Sequence, residues 1–403
     1  MKIREFGVEI WMNEFENNCE FNLAETCVES LTIEQLLAMS GKIDSVMTDL
    51  LPMKMTYGAI EGSDRLRDNI CELYTKQSRS NIMVTHGTIG ANALIYQALV
   101  HAGDHVISVL PTYQQHYSIP ESQGAKVSIL PLREENQFLP DLDALRALAL
   151  KVRPKLITIG GSLNLFAHPV CEVREIADLV GAKVLFDAAH QCGIIAGKAW
   201  PDPLAEGAHL MTMSTYKSLG GPAGGLIVTN DAELAQRLDQ IAFPGMTANF
   251  DAAKSAALAM TMLDWREYGR DYATMMIATA QAFAAALDSA GIPVFAQGQE
   301  FTRSHQFAVE AAGYGGGQTA SKKLRKAGFL ACGIGLPIDT VEGDMNGLRI
   351  GTPELVRWGV TPDNVGEIAA LVARGLNSNA PEGLAAEVAD LRALYSQMHF
   401  VLA

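Results

Sequence analysis

Short apolar segments separated by helix-length stretches are the feature that most constrains the fold of this chain. Seven such segments of four to six residues recur, at 81–85, 105–110, 126–130, 155–159, 183–186, 209–213 and 225–228. Stretches with a helical period, such as 66–74 and 90–99, lie between them. Short buried strands that alternate with helices are typical of a parallel sheet covered on both faces. We therefore predict an α/β fold with a mostly parallel central sheet.

The pattern changes after about residue 250. Two long helices rich in Ala and Met are predicted at 252–263 and 268–290, followed by short strands and a helix near 321–327. This predicts a smaller α+β domain, so we divide the chain into a large domain (46–265) and a small domain (1–45 plus 266–403). Near the N-terminus, Thr32 is a predicted N-cap with an acid and an amide in the first turn.

Composition excludes several classes of protein. The 403 residues are 48% hydrophobic and 19% charged, which is typical of a soluble globular enzyme, and the net charge of −14 argues against nucleic acid or an anionic membrane as partner. The six cysteines are scattered without a CxxC pair, the N-terminal segment lacks a signal-peptide core, and no apolar run reaches the ~20 residues of a membrane span. We predict a cytoplasmic protein with reduced thiols and no metal site.

A lysine and an earlier aspartate at the end of an apolar strand are the first candidate catalytic residues. Lys217 lies in the segment 213–225, MSTYKSLGGPAGG, and the apolar strand 182–186 ends in Asp187, thirty residues earlier. This arrangement favours a pyridoxal phosphate site, in which Lys217 would hold the cofactor aldehyde as a Schiff base. Asp187 would keep the pyridine nitrogen protonated, and Ser214 would be a further cofactor contact. A surface lysine after a strand is the alternative.

A glycine turn at 86–92, HGTIGAN, follows one predicted strand and opens a helix. Free backbone N–H groups and the positive end of a helix dipole bind anions. We predict that Gly87, Thr88 and Ile89 form the phosphate cup, although such a turn is also found as a simple tight connection.

Three further residues follow strands that end at the same edge of the predicted sheet. Tyr113 could stack on the pyridine ring, and Ser162 could contact the ring substituents. His190 could hydrogen-bond the cofactor or assist proton transfer. The alternatives are an ordinary loop aromatic for Tyr113 and a structural histidine for His190.

Arg349 lies in the segment 347–353, GLRIGTP, on a predicted strand bounded by glycines. Its planar guanidinium could bind a substrate α-carboxylate through two parallel N–H···O bonds. The alternative is a structural salt bridge.

These motifs resemble those of the fold-type I pyridoxal phosphate enzymes. From about residue 155 onward the chain resembles serine hydroxymethyltransferase, in the segments GGS (160–162), DAAH (187–190), GIIAG (193–197), TYKSLGGP (215–222), FPG (243–245), SHQ (304–306) and LRIGTP (348–353). Residues 1 to about 150 are similar to class I/II aminotransferases, in YGAIEG (57–62), HGTIGA (86–91), GDHV (103–106) and PTY (111–113). The resemblance implies an aspartate aminotransferase-like fold and a homodimer with shared active sites, in which Tyr57 reaches the partner's phosphate.

The chain also departs from both families. The paired tyrosines that serve folate chemistry are missing around 57–62, Tyr216 replaces the histidine before the lysine, and Gly220 stands where the family has an arginine. Tetrahydrofolate dependence is therefore left open. The Asn-Pro segment of aminotransferases is replaced by the residues 160–164, GGSLN.

Three functions follow from these observations. The first is formation or cleavage of a Cα–Cβ bond on a β-hydroxy amino acid or glycine, with or without folate. The second is transamination or a related reaction of an amino acid. The third is a non-catalytic protein that binds pyridoxal phosphate.

Overall fold

The computed structural model describes residues 7–16, 18–24, 28, 31–39, 41, 43–45, 47–48, 51–52, 59–75, 77–247 and 251–402. Within these ranges the central sheet has seven strands: β2 (Ile82–Thr85), β3 (His105–Leu110), β4 (Lys126–Pro131), β5 (Leu156–Gly160), β6 (Lys183–Asp187), β7 (Leu210–Ser214) and β8 (Gly225–Thr229). Each begins and ends within one residue of its predicted segment.

The strand order across the sheet is β2-β8-β7-β6-β5-β3-β4. The pairs β3–β4, β3–β5, β5–β6 and β6–β7 are parallel, and β8 is antiparallel to both of its neighbours. The prediction of a mostly parallel α/β sheet is thus confirmed. Because the parallel strands share a direction, the loops that follow β3, β5, β6 and β7 meet at one edge, where ligands bind in such sheets.

In the described ranges, helices cover the two faces of the sheet and also form part of the remainder of the molecule. They are α1 (Gly7–Phe15), α2 (Ile33–Met39), α3 (Asp64–Leu73), α4 (Gly87–Leu99), α5 (Gln115–Ser122), α6 (Leu142–Val152), α7 (Val170–Asp178), α8 (Cys192–Ala196), α9 (Ala232–Gln240), α10 (Ala252–Ser289), α11 (Gly317–Lys326), α12 (Pro353–Arg357), α13 (Val365–Asn377) and α14 (Ala385–Ala393). The predicted cap of α2 is confirmed, because the Gln35 backbone N–H donates to Thr32 Oγ1 at 3.1 Å.

One helix differs from its prediction. Residues 252–263 and 268–290 do not form two helices, because α10 runs unbroken for 38 residues. Trp265 lies in the expected gap, where its side chain is buried and its indole N–H donates to the Leu219 carbonyl at 2.8 Å. This tertiary contact stabilises the helix through the segment where the sequence pattern is weak.

A second, smaller sheet follows α10. Its strands are β11 (Cys332–Ile334), β12 (Gly347–Gly351) and β9 (Gln306–Glu310), in that order and antiparallel, while β1 (Phe21–Asn22) pairs in parallel with β10 (Phe329–Leu330). The C-terminal part of α10 packs on this sheet, and its N-terminal part packs on the large one. The predicted boundary at residue 265 falls inside α10, and the division into domains stays a prediction.

None of the helices in the described ranges is both long enough and apolar enough to cross a membrane.

Candidate active site

A cavity of about 1360 Å³ opens at the edge of the large sheet where the parallel strands end. Six residues predicted from the sequence lie in its wall: Gly87, Tyr113, Ser162, His190, Lys217 and Arg349. Five of them follow different strands of the large sheet, and Arg349 comes from β12 of the smaller sheet. The fold therefore brings together residues that are up to 262 positions apart, although their individual roles stay predictions.

Lys217 follows β7 and contacts His190, which follows β6. The Lys217 Nζ lies 2.9 Å from His190 Nε2, and Arg349 Nη1 lies 3.4 Å from the same nitrogen. Lysine and arginine nitrogens donate hydrogen bonds and do not accept them when charged, so His190 Nε2 is the acceptor and its proton belongs on Nδ1. His190 is therefore arranged as a base toward the lysine amine.

Asp187 ends β6 and is 1% exposed. Its Oδ1 accepts the Ala189 backbone N–H at 2.9 Å, and its Oδ2 lies 2.6 Å from His116 Nε2 and 3.4 Å from Asn92 Nδ2. Burial is the largest single influence and raises the pKa of Asp187. The hydrogen bond and charge of His116, the Ala189 N–H and the charge of Lys217 together outweigh it, so the pKa is below its usual value. Asp187 is thus an anion at neutral pH.

His116 is a site residue that the sequence did not reveal. It lies on α5, is fully buried, and its Nδ1 is 2.7 Å from the hydroxyl of Tyr96 on α4. In the segment 111–117 the sequence predicts a cofactor contact only for Tyr113. The spacing does not predict that His116 contacts Asp187, which is 71 residues away. The strand order, in which β5 alone separates β3 from β6, brings the two side chains together.

The predicted phosphate cup is the N-terminus of α4. Gly87 has φ +73°, and a Cβ placed there would have no neighbour within 4 Å, so its backbone faces open space in the cavity wall. The Thr88 and Ser214 hydroxyls are 2.5 Å apart and hydrogen-bond each other, while Ile89 is 50% exposed. Backbone N–H groups are therefore the most available anion donors here. The roles of Thr88, Ile89 and Ser214 stay predictions.

Arg349 is 2% exposed and partly held by the protein. Its Nε and Nη2 donate to the Ala24 carbonyl at 3.2 and 2.9 Å, and its Nη1 donates to the Ser162 carbonyl at 2.8 Å. A guanidinium has five N–H donors, and carbonyls engage three of them. The second N–H of Nη1 lies toward His190 Nε2 at 3.4 Å, and the second N–H of Nη2 has no acceptor among the described residues. The contact with His190 is long, so a carboxylate could replace it and accept one N–H from each terminal nitrogen. The alternative of a structural salt bridge finds no support among the contacts of the described residues, since the acceptors of Arg349 are two carbonyls and His190 Nε2.

Two predicted residues remain. Ser162 lies directly after Gly160 and Gly161, whose φ values of +82° and +137° let the chain turn beside Asp187 and Thr112. Tyr57 lies outside the described residues.

The residues present fit pyridoxal phosphate. A carboxylate offers about four acceptor positions, and three donors engage Asp187, which leaves one for a ring N–H. The open backbone at Gly87 suits a phosphate, and the lysine amine stands in the same cavity. This combination of an amine, a buried carboxylate and an anion cradle is what the cofactor requires.

Comparison with known proteins identifies relatives of this chain. The profile of the serine hydroxymethyltransferase family matches residues 29–372, which includes much of the part similar to aminotransferases. An alpha-methylserine aldolase of Ralstonia sp is 50% identical over 350 residues (85% of this chain and 80% of the relative), and one of Variovorax paradoxus is 52% identical over 328 residues (80% and 74%). The serine hydroxymethyltransferase of Pyrobaculum islandicum is 39% identical over 320 residues (78% and 74%).

Among solved structures, the crystal structure of L-threonine transaldolase from Pseudomonas fluorescens matches with a TM-score of 0.81. The match covers 98% of this chain and 92% of that chain at 18% identity, and it confirms the fold alone. The family match and the similarity of the relatives decide the rest: the chain belongs to the serine hydroxymethyltransferase family, and it is a pyridoxal phosphate-dependent transferase or lyase that acts on the Cα–Cβ bond of an amino acid.

Proposed function

We propose that this chain is a folate-independent aldolase whose substrate is a β-hydroxy amino acid with a second carbon substituent at Cα, namely α-methylserine. One observation carries the proposal. The alpha-methylserine aldolases share 50–52% of their residues with this chain, whereas the serine hydroxymethyltransferases share 36–39% over similar lengths.

The reaction balances without a second substrate. The β-hydroxyl of α-methylserine loses its proton, the Cα–Cβ bond breaks, and Cβ leaves as formaldehyde. A proton added at Cα then gives alanine. Neither an oxidant nor a one-carbon carrier is needed, because formaldehyde is released as such. The absence of the paired tyrosines and the replacement of the family histidine by Tyr216, which lines the cavity, support a reaction without folate.

When bound, pyridoxal phosphate supplies an aldehyde that condenses with amines and a protonated ring that withdraws electrons from the bonds at Cα. The side chains have separate tasks around it. Arg349 binds the substrate carboxylate with one N–H from each terminal nitrogen, and the N–H of Nη1 exchanges its 3.4 Å contact with His190 for the substrate. This fixes the orientation of Cα. His190 Nε2, 2.9 Å from Lys217 Nζ, takes a proton from the amine and returns it. Asp187 holds the proton of the ring nitrogen by its negative charge.

Product analysis tests the proposal. Purified holoenzyme is incubated with α-methylserine in folate-free buffer, and alanine and formaldehyde are measured. We expect equal amounts of both, and no change in rate when tetrahydrofolate is added. If α-methylserine gives no alanine and serine is cleaved only with tetrahydrofolate, the enzyme is a serine hydroxymethyltransferase instead. Release of a keto acid with formation of pyridoxamine phosphate would indicate an aminotransferase.

We also propose that the enzyme is a cytoplasmic homodimer in which Tyr57 contacts the phosphate of the partner's cofactor. Helix α2 has no buried residue, and Ile33 and Leu51 are 78% and 77% exposed, which supports a contact between two copies in this part of the chain. Light scattering tests the dimer. For Tyr57, mixed dimers of Tyr57→Phe and Lys217→Ala subunits should regain activity only where the intact Lys217 site receives an intact Tyr57.

A further inference from the structure

We propose that Tyr96 and His116 are positioning residues that hold Asp187 as an oriented anion for the ring nitrogen of the cofactor. The inference rests on the role proposed for Asp187 and adds two residues to it. Neither residue lies in the cavity wall, so any effect on the cofactor passes through the carboxylate.

The contacts form a continuous chain. The Tyr96 hydroxyl lies 2.7 Å from His116 Nδ1, and His116 Nε2 lies 2.6 Å from Asp187 Oδ2. Tyr96 and His116 are fully enclosed, and Asp187 is 1% exposed. Hydrogen bonds in such a low-dielectric setting are strong, and adjacent bonds polarise each other.

The direction of each hydrogen bond follows from the charges. Asp187 is an anion, so His116 Nε2 donates to it. Burial, and next the charge of Asp187, raise the pKa of Tyr96 well above its usual value, so its hydroxyl keeps its proton. When His116 is neutral, that hydroxyl donates to Nδ1. When His116 is charged, Nδ1–H donates to the hydroxyl, which can donate in turn to the His116 carbonyl at 3.5 Å. Both imidazole nitrogens are satisfied in either state.

The carboxylate is also fixed in orientation. The Ala189 N–H holds Oδ1 at 2.9 Å, and His116 holds Oδ2 from another direction. With both oxygens held, the remaining acceptor position points in one direction only. Without His116, only the Ala189 N–H and the charge of Lys217 would oppose burial, which raises the pKa of Asp187 and favours its protonated form. A protonated Asp187 could no longer stabilise a proton on the ring.

The competing explanation is that both rings only fill the core, as Tyr96 packs among apolar residues of the sheet face. Loss of core packing would weaken every ligand of the site to the same extent. The proposed role affects only ligands that carry a ring nitrogen, and this difference makes the two explanations separable.

The experiment measures cofactor dissociation constants for the full-length protein after removal and re-addition of cofactor. The two ligands are pyridoxal phosphate and its analogue with carbon in place of the ring nitrogen. For His116→Phe we expect about tenfold weaker binding of pyridoxal phosphate, as for one pKa unit, and less than about twofold for the analogue. His116→Gln keeps an N–H donor and should stay within about threefold for both ligands. Tyr96→Phe should show the same discrimination as His116→Phe, to a smaller extent.

Asp187→Ala is the reference variant and should discriminate most strongly between the two ligands. If it does and the His116 and Tyr96 variants weaken both ligands equally, or weaken neither, the positioning role is wrong and the role of Asp187 stands. If Asp187→Ala itself does not discriminate, the proposed role of Asp187 fails, and the inference fails with it. Should His116→Phe not fold, Tyr96→Phe decides by the same two outcomes.

Discussion

Replacement of Arg349 by lysine is the most informative single test of substrate recognition. Lysine keeps the positive charge but has a compact ammonium on a flexible stem, so it cannot present two parallel N–H groups to a carboxylate. In the native site three N–H contacts to the Ala24 and Ser162 carbonyls hold the guanidinium plane. The substrate would receive the second N–H of Nη2 and the second N–H of Nη1, which would leave its long contact with His190 Nε2. The substitution removes both the fork and its anchoring.

The magnitude follows from two charge-assisted hydrogen bonds. Each contributes about 1.5–3 kcal/mol, and the charge retained by lysine recovers part of that, so we expect a loss of about 2–4 kcal/mol in transition-state binding. Since about 1.4 kcal/mol is tenfold in rate, kcat/KM for α-methylserine should fall roughly 30- to 1000-fold.

The assay compares two substrates and a control variant. The second substrate is 2-aminopropan-1-ol, which is α-methylserine without its carboxylate. Wild type should prefer the acid strongly, and Arg349→Lys should lose most of that preference while the rate with the amine stays nearly unchanged. Arg392→Lys is the matched control, because Arg392 also lines the cavity and should tolerate the change. Near-native efficiency of Arg349→Lys, or equal rates with acid and amine in wild type, would refute the reasoning.

Three further predictions concern the cofactor and stability. Lys217→Ala should abolish turnover and covalent attachment of cofactor after borohydride reduction; attachment in that variant would show that another amine is used. Gly87→Ala and Gly181→Ala should both lower the free energy of unfolding by about 1–2 kcal/mol, since φ is +73° and +70°, but only Gly87→Ala should weaken pyridoxal phosphate binding. Burial lowers the pKa of His168 to about 4, below the ~6.5 of the unfolded chain, so the unfolded state binds more protons between these values. The stability contributed by neutral His168 is therefore complete above pH 6.5, and the free energy of unfolding falls by up to about 3 kcal/mol as the pH falls toward 4. His168→Gln should reduce this dependence of the free energy of unfolding on pH, measured by chemical denaturation. An unchanged dependence would contradict the pKa shift.

Several features could be predicted from the sequence because their causes are local. Strand positions follow from short apolar runs, and each of the seven was predicted to within one residue. The cap at Thr32 follows from neighbouring residues. The nearness of Lys217 to His190 follows from strand ends that share one edge of a parallel sheet. The family resemblance rested on the same local motifs, and the family profile confirms it.

Other features depended on the tertiary structure because they join side chains from elements whose spatial neighbours the sequence does not specify. The hydrogen bond between His116 and Asp187 requires the strand order that places β5 between β3 and β6, and the direction in which α5 turns its buried face. The hydroxyls of Thr88 and Ser214 meet each other because β7 ends beside the start of α4. The continuity of α10 depends on the contact of Trp265 with the loop after Lys217. Local sequence determined where the strands form and which edge of the sheet holds the candidate site. Long-range packing decided which side chains form hydrogen bonds with each other, since hydrogen bonds act only over about 3 Å.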